Sequence, residues 1–185
     1  MTFLLGGFHG DEPSGTALLE RFRGELERRP ELTEGRTVIV VPVVNPDGLS
    51  RGTRANAHGV DLNRNFPTRN WKRSTGGPRP ASEPETQALL HLLTELRPAR
   101  IVTVHAAAAE VNFDGPAEGL ARAMSTACSL PASDDIGYPT PGSFGTYVGK
   151  ERGIPTITLE LEHNRDGGAS AAYRAALLTA LFFID

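Results

Sequence analysis

Residues 3–13 of the chain read Phe-Leu-Leu-Gly-Gly-Phe-His-Gly-Asp-Glu-Pro, a short apolar run followed at once by a histidine and two acids. The apolar part predicts a buried β-strand over residues 3–5, and Pro13 suits the first turn of a following helix. The turn between them would carry His9 and Glu12 at the end of the strand. A strand, a turn with polar side chains and a helix together indicate the start of an α/β fold.

Three further apolar, β-branched runs predict buried strands, at residues 37–44, 101–105 and 156–161. Leucines recur at helical spacing near residues 18–26 and 89–96, and Ser82 to Glu85 has the pattern of a capping box before the second of these helices. A last helix is predicted over residues 170–182. Strands alternating with helices predict a mixed, largely parallel sheet flanked by helices, with ligand sites at the carboxyl ends of the strands.

Two long stretches, residues 45–81 and 113–142, lack clear periodicity. Irregular stretches longer than about 12–15 residues inside a compact domain are usually functional or mobile. The first is rich in arginine, asparagine and glycine, which suits anion binding better than core building.

Length and composition bound the class of protein. A chain of 185 residues predicts a single domain, residues 1–185, and the net charge of −3 gives no reason to expect nucleic acid or membrane as a partner. The start of the chain lacks the basic segment of a signal peptide. Cys128 is the only cysteine, which excludes an internal disulfide and any cysteine-based zinc cluster. We therefore expect a soluble, cytoplasmic protein.

His105 ends the strand predicted at residues 101–105, where a polar side chain is costly unless it is used. With His9 and Glu12 it would complete three ligands and leave a fourth position open, which is the pattern of a catalytic zinc site. Each residue alone has an ordinary reading, as a surface histidine, a helix-start acid or a hydrogen-bonded strand end. The three ligand types at two strand ends favour zinc.

A general base is predicted on the last strand. Alternation places Thr158, Glu160 and Glu162 on one face, and a carboxylate there would suit proton transfer. The periodicity does not distinguish Glu160 from Glu162, and a solvated strand face has the same pattern.

The basic loop at residues 51–67 contains Arg54, Asn63 and Arg64 but no interleaved aromatic residues for stacking bases. Guanidinium groups match the geometry of carboxylates, so the loop suits an acidic substrate group. Arginine stems that pack over loops and bond carbonyl groups would produce the same pattern.

Taken together, these residues resemble the zinc carboxypeptidase superfamily, the carboxypeptidase A-like metallopeptidases, from His9 to about Glu162. The resemblance implies one Zn²⁺ per chain, held by His9, Glu12 and His105. It also implies a compact zinc-carboxypeptidase-like fold and hydrolysis of a peptide or amide bond next to a residue with a free carboxylate.

The resemblance assigns roles to the remaining candidates. Arg54 matches the arginine that polarises the scissile carbonyl, and Asn63 with Arg64 matches the pair that grips the terminal carboxylate. Glu160, rather than Glu162, matches the catalytic glutamate. Tyr138 resembles the mobile tyrosine that closes over substrate.

Within the superfamily, the runs Asn-Pro-Asp-Gly at residues 45–48, Leu-Asn-Arg-Asn-Phe-Pro at 62–67 and residues 136–145 look most like bacterial murein peptide amidases. Those enzymes cleave the γ-D-glutamyl–diaminopimelate bond of recycled cell-wall peptides. A small peptide or amide with a free carboxylate is therefore the expected partner.

The chain starts at the strand that leads to His9, whereas relatives have further strands before it. We therefore expect a smaller sheet, lacking the usual N-terminal strands, with an edge that is exposed, shortened or covered by a partner. The oligomeric state is not fixed by the sequence, and a dimer is compatible with such an edge.

Two other functions fit parts of the pattern. An N-acyl-amino-acid deacylase of the aspartoacylase or succinylglutamate desuccinylase type shares the zinc triad and an Asp-Leu-Asn-Arg run. A non-catalytic peptide-binding domain would keep the carboxylate-binding residues, but it has no need for the base at Glu160.

Overall fold

The computed structural model describes residues 1–162 and 171–184, and its elements alternate between strands and helices. The strands are β1 (Thr2–Gly6), β2 (Val38–Val41), β3 (Arg100–Ala106), β4 (Glu110–Asp114), β5 (Ala132–Ser133) and β6 (Thr156–Leu161). The α-helices are α1 (Pro13–Arg28), α2 (Pro46–Arg51), α3 (Arg73–Gly76), α4 (Pro84–Leu96), α5 (Glu118–Cys128) and α6 (Ala171–Phe182). Short 3-10 turns span Pro30–Leu32 and Leu62–Arg64, and a π-helical turn spans Thr146–Lys150.

The six strands form one sheet in the order β2-β1-β3-β6-β4-β5. All neighbours are parallel except β4 and β6, which are antiparallel. The predicted mixed, largely parallel sheet flanked by helices is therefore confirmed. The parallel strands β1, β3 and β6 are adjacent, so their carboxyl ends meet at one edge of the sheet.

Alternation along the strands divides the core into two layers. On β3, Val102 and Val104 pack with helices α1, α5 and α6, whereas Ile101 packs on the opposite face. That opposite face holds an aromatic cluster in which Phe66 and Phe144 meet edge to face, with ring centroids 5.0 Å apart. Phe8 of this layer stacks on His105, with ring centroids 5.4 Å apart, so the aromatic cluster directly contacts a predicted site residue.

The prediction of an irregular stretch over residues 113–142 is wrong. The chain enters it on β4, continues into α5 and then forms β5. The buried face of α5 consists of Leu120, Ala121, Met124 and Cys128, and with a single leucine this face gives only a weak apolar signal. The stretch over residues 45–81 contains only short helical turns.

Two predicted boundaries also differ. β2 ends at Val41 because Pro42 follows and has no backbone N–H to donate to a ladder. The backbone nevertheless continues alongside β1, since the Val44 N–H donates to the Gly6 carbonyl at 2.9 Å. The last helix is described from Ala171, and residue 170, its predicted first residue, lies outside the described residues.

Among the described residues, β2 lies at one edge of the sheet and its four residues are half-buried. No helix in the described part of the chain is both long and apolar enough to cross a membrane.

Candidate active site

Three potential metal ligands converge at the carboxyl ends of β1 and β3. The Nδ1 atom of His9 lies 2.7 Å from Oε1 of Glu12, and Nδ1 of His105 lies 3.0 Å from Oε2 of the same carboxylate. The two Nδ1 atoms are 3.3 Å apart, and both imidazoles are 3% exposed. His9 follows the turn at Gly7, whose φ of +62° is readily adopted only by glycine.

The donor set of this cluster fits a zinc ion. One ligand atom from each residue lies within 4.8 Å of the others. Two imidazole nitrogens and a carboxylate oxygen are ligands that Zn²⁺ prefers, and three protein ligands leave one position for water or substrate. Burial would raise the pKa of Glu12, but hydrogen bonds from His105 and His9 outweigh it and lower that pKa, which keeps the carboxylate ionised.

Asp61 fixes the orientation of His9. Its Oδ1 atom lies 3.1 Å from Nε2 of His9, so the far ring nitrogen is hydrogen-bonded while Nδ1 faces the other ligands. A carboxylate in this position holds a ligating histidine in one tautomer. Burial would raise the pKa of Asp61, but the hydrogen bond with His9 and the charge of Arg54 lower it to about 2. Sequence reasoning did not identify Asp61, which lies beside the predicted Asn63 and Arg64.

Arg54 lies beside the triad. Its Nε donates to Oδ2 of Asp61 at 2.9 Å, and Nη1 donates to Oε1 of Glu12 at 3.4 Å. The side chain is 44% exposed and lines the cleft, and the two acids hold its guanidinium group on one side. Asp61 thus joins the position of Arg54 to that of His9.

Asn45 connects the backbone of these two segments. Its side chain donates through Nδ2 to the Phe8 carbonyl at 3.2 Å and to the Arg54 carbonyl at 3.4 Å, and Oδ1 accepts from the Gly48 N–H at 2.9 Å. Asn45 is fully buried. It belongs to the Asn-Pro-Asp-Gly run, which sequence reasoning treated only as a mark of resemblance.

Direct contact between backbones completes this connection. A Cβ atom at Gly10 would lie 1.9 Å from the carbonyl carbon of Gly48, so only glycine permits the observed distance. The Gly10 N–H also donates to the Thr53 carbonyl at 2.9 Å. The turn that carries the ligands and the loop that carries Arg54 are therefore built against each other.

Asn63 and Arg64 lie on the 3-10 turn that follows Asp61, and both line the cleft. Oδ1 of Asn63 accepts from the Phe144 N–H at 2.9 Å, which leaves its amide group as a donor. Nη1 of Arg64 donates to the Asn63 carbonyl at 2.7 Å. These two residues therefore present N–H donors to the cleft.

The structure separates the two glutamates that the strand pattern left open. Glu160 is the register partner of His105, is 6% exposed and lines the cleft. Its Oε2 accepts from the Ala108 N–H at 3.4 Å. β6 ends at Leu161, and Glu162 instead bonds to the hydroxyl of Tyr173 on α6 through both its N–H and its carboxylate.

Tyr138 lies at the rim of the same cleft and is 51% exposed. Burial and the negative charge of Glu160 raise the pKa of its hydroxyl, while Arg64 and Arg54 oppose that shift. The cleft thus brings together every residue that the sequence marked as catalytic, substrate-binding or metal-binding, and the structure adds Asp61 and Asn45 as their supports.

A family model for zinc carboxypeptidases matches residues 1–116. The chain is 36% identical over 195 residues to murein peptide amidase A of Escherichia coli K12, an alignment that covers 96% of this chain and 78% of that protein. The chain belongs to the zinc carboxypeptidase family. Murein peptide amidase A of Vibrio campbellii is 39% identical over 85% of this chain and 68% of its own length.

The fold agrees with this zinc carboxypeptidase assignment. The crystal structure of murein-tripeptide amidase from Escherichia coli O157 superimposes with a TM-score of 0.85 and 36% identity, over 100% of this chain and 82% of that one. As a zinc carboxypeptidase, the protein is a hydrolase that cleaves peptide or amide bonds with zinc. The comparisons do not favour the deacylase or a non-catalytic binding domain.

Proposed function

We propose that this zinc carboxypeptidase is a murein peptide amidase that cleaves the amide bond between γ-D-glutamate and diaminopimelate in small cell-wall peptides. The observation that carries the proposal is the gathering of all the expected groups in one cleft, lined by His9, Glu12, Arg54, Asn63, Arg64, His105, Tyr138 and Glu160. The murein substrate is taken from the names of relatives that are 36–39% identical to this chain.

In this proposal one zinc ion per chain is held by His9, Glu12 and His105, the one cluster of this kind within the described residues. A zinc ion there supplies Lewis acidity that polarises the scissile carbonyl and lowers the pKa of a water. By holding Nε2 of His9, Asp61 would leave Nδ1 of that ring free to serve as a ligand.

Glu160 acts as the general base. Its carboxylate takes a proton from the attacking water and passes that proton to the leaving nitrogen, which lets the amide bond break without releasing an amide anion. Arg54 donates to the carbonyl oxygen as negative charge develops on it. A donor in this position contributes on the order of 3 kcal/mol to transition-state stabilisation.

Asn63 and Arg64 bind the α-carboxylate of the leaving residue. Their donors lie in the same cleft as the ligands, so a bound carboxylate fixes the scissile bond one residue from the chain end. Tyr138, at the rim, closes over the bound substrate. This arrangement makes the reaction exopeptidase-like.

We also propose that the enzyme works in the cytoplasm. The support is its single, buried cysteine, Cys128, which is compatible with a reducing compartment, together with the recycled peptides that resembling enzymes cleave. Cell fractionation with an antibody to the protein tests this location, and recovery in the extracellular fraction would contradict it.

The test of the function is a product assay by mass spectrometry with the zinc-loaded protein. The substrates are L-Ala-γ-D-Glu-meso-diaminopimelate, ordinary peptides with a free C-terminus, and N-acetyl and N-succinyl amino acids. We expect release of diaminopimelate by the wild type. Glu160→Gln, the matched control, should bind zinc but give no product.

Three outcomes would contradict the proposal. Release of acyl acids alone would move the protein to the deacylases, and release of ordinary C-terminal residues alone would make it a general carboxypeptidase. Full turnover by Glu160→Gln would remove Glu160 as the base.

A further inference from the structure

The sheet face below the zinc site carries polar side chains that the proposed hydrolysis does not use. Thr103, Thr158 and Asn112 are register partners across β3, β6 and β4, and Asp114 lies two residues further along β4. All four line the cleft. They occupy the face on which Ile101 and Leu5 otherwise build an apolar core.

These polar groups are deeply placed. Thr103 is 2% exposed, Asn112 is 6% exposed and Asp114 is 9% exposed. The Thr103 hydroxyl donates to the Thr158 hydroxyl at 3.1 Å, and Nδ2 of Asn112 donates to the Ser133 carbonyl at 3.0 Å. These internal hydrogen bonds offset the cost of burying polar groups, and because the same side chains line the cleft they give it a polar floor that suits a polar substrate group.

At the far side of this floor lies an ion pair. Oδ1 of Asp114 is 3.1 Å from Nζ of Lys150, and both residues line the cleft. The Lys150 side chain is 54% exposed, whereas that of Asp114 is 12% exposed. The wall therefore offers one largely buried anion and one exposed cation side by side.

Two glycines create the space for this pair. A Cβ atom at Gly145 would lie 2.0 Å from Oδ2 of Asp114, and one at Gly149 would lie 2.4 Å from its Cβ. Any side chain at residue 145 would displace the Asp114 carboxylate. The absence of side chains at both positions lets the backbone pack closely against Asp114, and Asp114 and Lys150 both line the cleft.

We propose that Asp114 and Lys150 select the leaving residue by binding an amino-acid group at the far end of its side chain. Asp114 accepts from the ammonium of that group, and Lys150 donates to its carboxylate. This inference rests on the proposed function and names the residues that recognise the distal end of diaminopimelate. A leaving residue whose side chain lacks the ammonium makes no bond to Asp114, and one whose side chain lacks the carboxylate makes no bond to Lys150.

A purely basic side chain fits this wall less well. Asp134 and Asp135 also line the cleft and would attract an ammonium, but Nζ of Lys150 lies directly against Asp114 and repels a second cation there. A substrate carboxylate placed beside Lys150 removes that repulsion. The ion pair therefore favours a zwitterionic group over a lone ammonium.

The test uses three peptides that share L-Ala-γ-D-Glu and differ only in the leaving residue, which is meso-diaminopimelate, L-lysine or L-2-aminopimelate. Lysine lacks the distal carboxylate, and 2-aminopimelate lacks the distal ammonium. Binding is measured by calorimetry in the zinc-loaded Glu160→Gln background, where the peptide is not consumed. The specificity constant kcat/KM is measured with Glu160 intact.

We expect Lys150→Met to lower the preference for diaminopimelate over lysine by about 10- to 100-fold, the effect of one charge-assisted hydrogen bond. Asp114→Asn should lower the preference for diaminopimelate over 2-aminopimelate to a similar degree. Lys72→Met, at the chain's other lysine, is the matched control because Lys72 is exposed on the residue before α3 and should leave both ratios unchanged.

The proposal is overturned if Lys150→Met weakens all three peptides equally, or if the parent protein prefers the lysine peptide. The two proposals fail separately. If no peptide is cleaved but diaminopimelate binding depends on Lys150, the hydrolytic assignment falls and the recognition stands. If diaminopimelate is released equally well by Lys150→Met and Asp114→Asn, the recognition falls and the amidase stands.

Discussion

At the scale of single residues, the Asp61 carboxylate contacts three separate parts of the site. It accepts from Nε2 of His9 at 3.1 Å and from Nε of Arg54 at 2.9 Å, and its Oδ1 also accepts from the Asn63 N–H at 2.9 Å. One carboxylate therefore orients a ligand, an oxyanion donor and the start of the carboxylate-binding turn.

Replacing Asp61 should disturb the metal and the chemistry together. We expect Asp61→Asn to weaken zinc binding about 10- to 100-fold, because the partner of His9 Nε2 loses its charge. Turnover should also fall at saturating zinc, since Arg54 loses an anchor. Chelator competition and steady-state kinetics measure the two effects, with Asp47→Asn, an exposed acid on α2, as the control. Unchanged zinc affinity would show that Asp61 has no such role.

Arg64 carries a second prediction at this scale. Arg64→Ala should raise KM for peptides with a free terminal carboxylate about 10- to 100-fold, because it removes a charge-assisted hydrogen bond to that group. The same peptides with an amidated terminus should respond much less. Arg51→Ala, an exposed arginine at the end of α2, serves as the comparison. An equal effect on amidated peptides would exclude carboxylate binding by Arg64.

Glu160 and Glu162 show which features of single residues can be predicted from the sequence and which cannot. Strand alternation treats them alike, and only the end of β6 at Leu161 turns Glu162 towards Tyr173. That end depends on tertiary contacts rather than on local pattern. Asp61 was not predicted for a related reason, since its partner His9 lies 52 residues away in the chain.

At the scale of elements, the start of α4 differs from the predicted capping box. The N-cap is Glu83 rather than Ser82, and the Ser82 hydroxyl donates to the Glu83 carboxylate at 2.5 Å. That carboxylate is buried and also bonds Asn56 Nδ2 at 2.8 Å and His58 Nδ1 at 2.6 Å. Its partners lie 25 to 27 residues earlier in the chain, beyond the reach of a local capping pattern.

This contact makes stability depend on pH. Burial would raise the pKa of Glu83, but hydrogen bonds from Ser82, Asn56 and His58 lower it. The stabilisation is therefore complete above the unfolded pKa of about 4.3 and is lost as the pH falls through the lower folded value. We expect Glu83→Gln to cost about 1–3 kcal/mol at pH 7, because a buried charge-assisted hydrogen bond is lost.

Urea unfolding at pH 7 and at pH 3 measures this difference. The free-energy difference between wild type and Glu83→Gln should shrink at the lower pH, whereas Glu95→Gln, an exposed position on the same helix, should change little at either pH. A difference that stays constant with pH would mean that the charge of Glu83 does not matter.

Helix α5 is an element that the apolar pattern of the sequence did not predict. The four apolar runs were predicted as strands because they carry a strong apolar signal. The buried face of α5 includes Ala121 and Cys128, which are small and only weakly apolar, so packing against α6 rather than periodicity defines it. The antiparallel strand β4 was missed because every second residue, Glu110, Asn112 and Asp114, is polar, which leaves it without a continuous apolar run.

At the scale of the molecule, the ligand triad joins two separate parts of the sheet. His9 and Glu12 lie between β1 and α1, and His105 is the last residue but one of β3, 93 residues after Glu12. A bound ion would therefore close a long loop of the chain.

Zinc should consequently stabilise the whole domain. At a free zinc concentration 1,000 times the Kd, the expected gain is about 4 kcal/mol, and chelation should lower Tm accordingly. Differential scanning calorimetry with and without chelator measures the shift, and His105→Ala should abolish it. A Tm that is the same in both conditions would show that these residues do not hold a metal in the folded protein.

The contact between Gly10 and Gly48 has a consequence for how this protein can change. Because the two backbones touch, residues 6–12 and 45–54 are structurally coupled. A larger residue at either glycine is tolerated only if the opposite loop moves with it. A graft that imports one loop from a relative should misplace His9 or Arg54. An engineer who wishes to recombine members of this family would do better to exchange both loops as a single cassette.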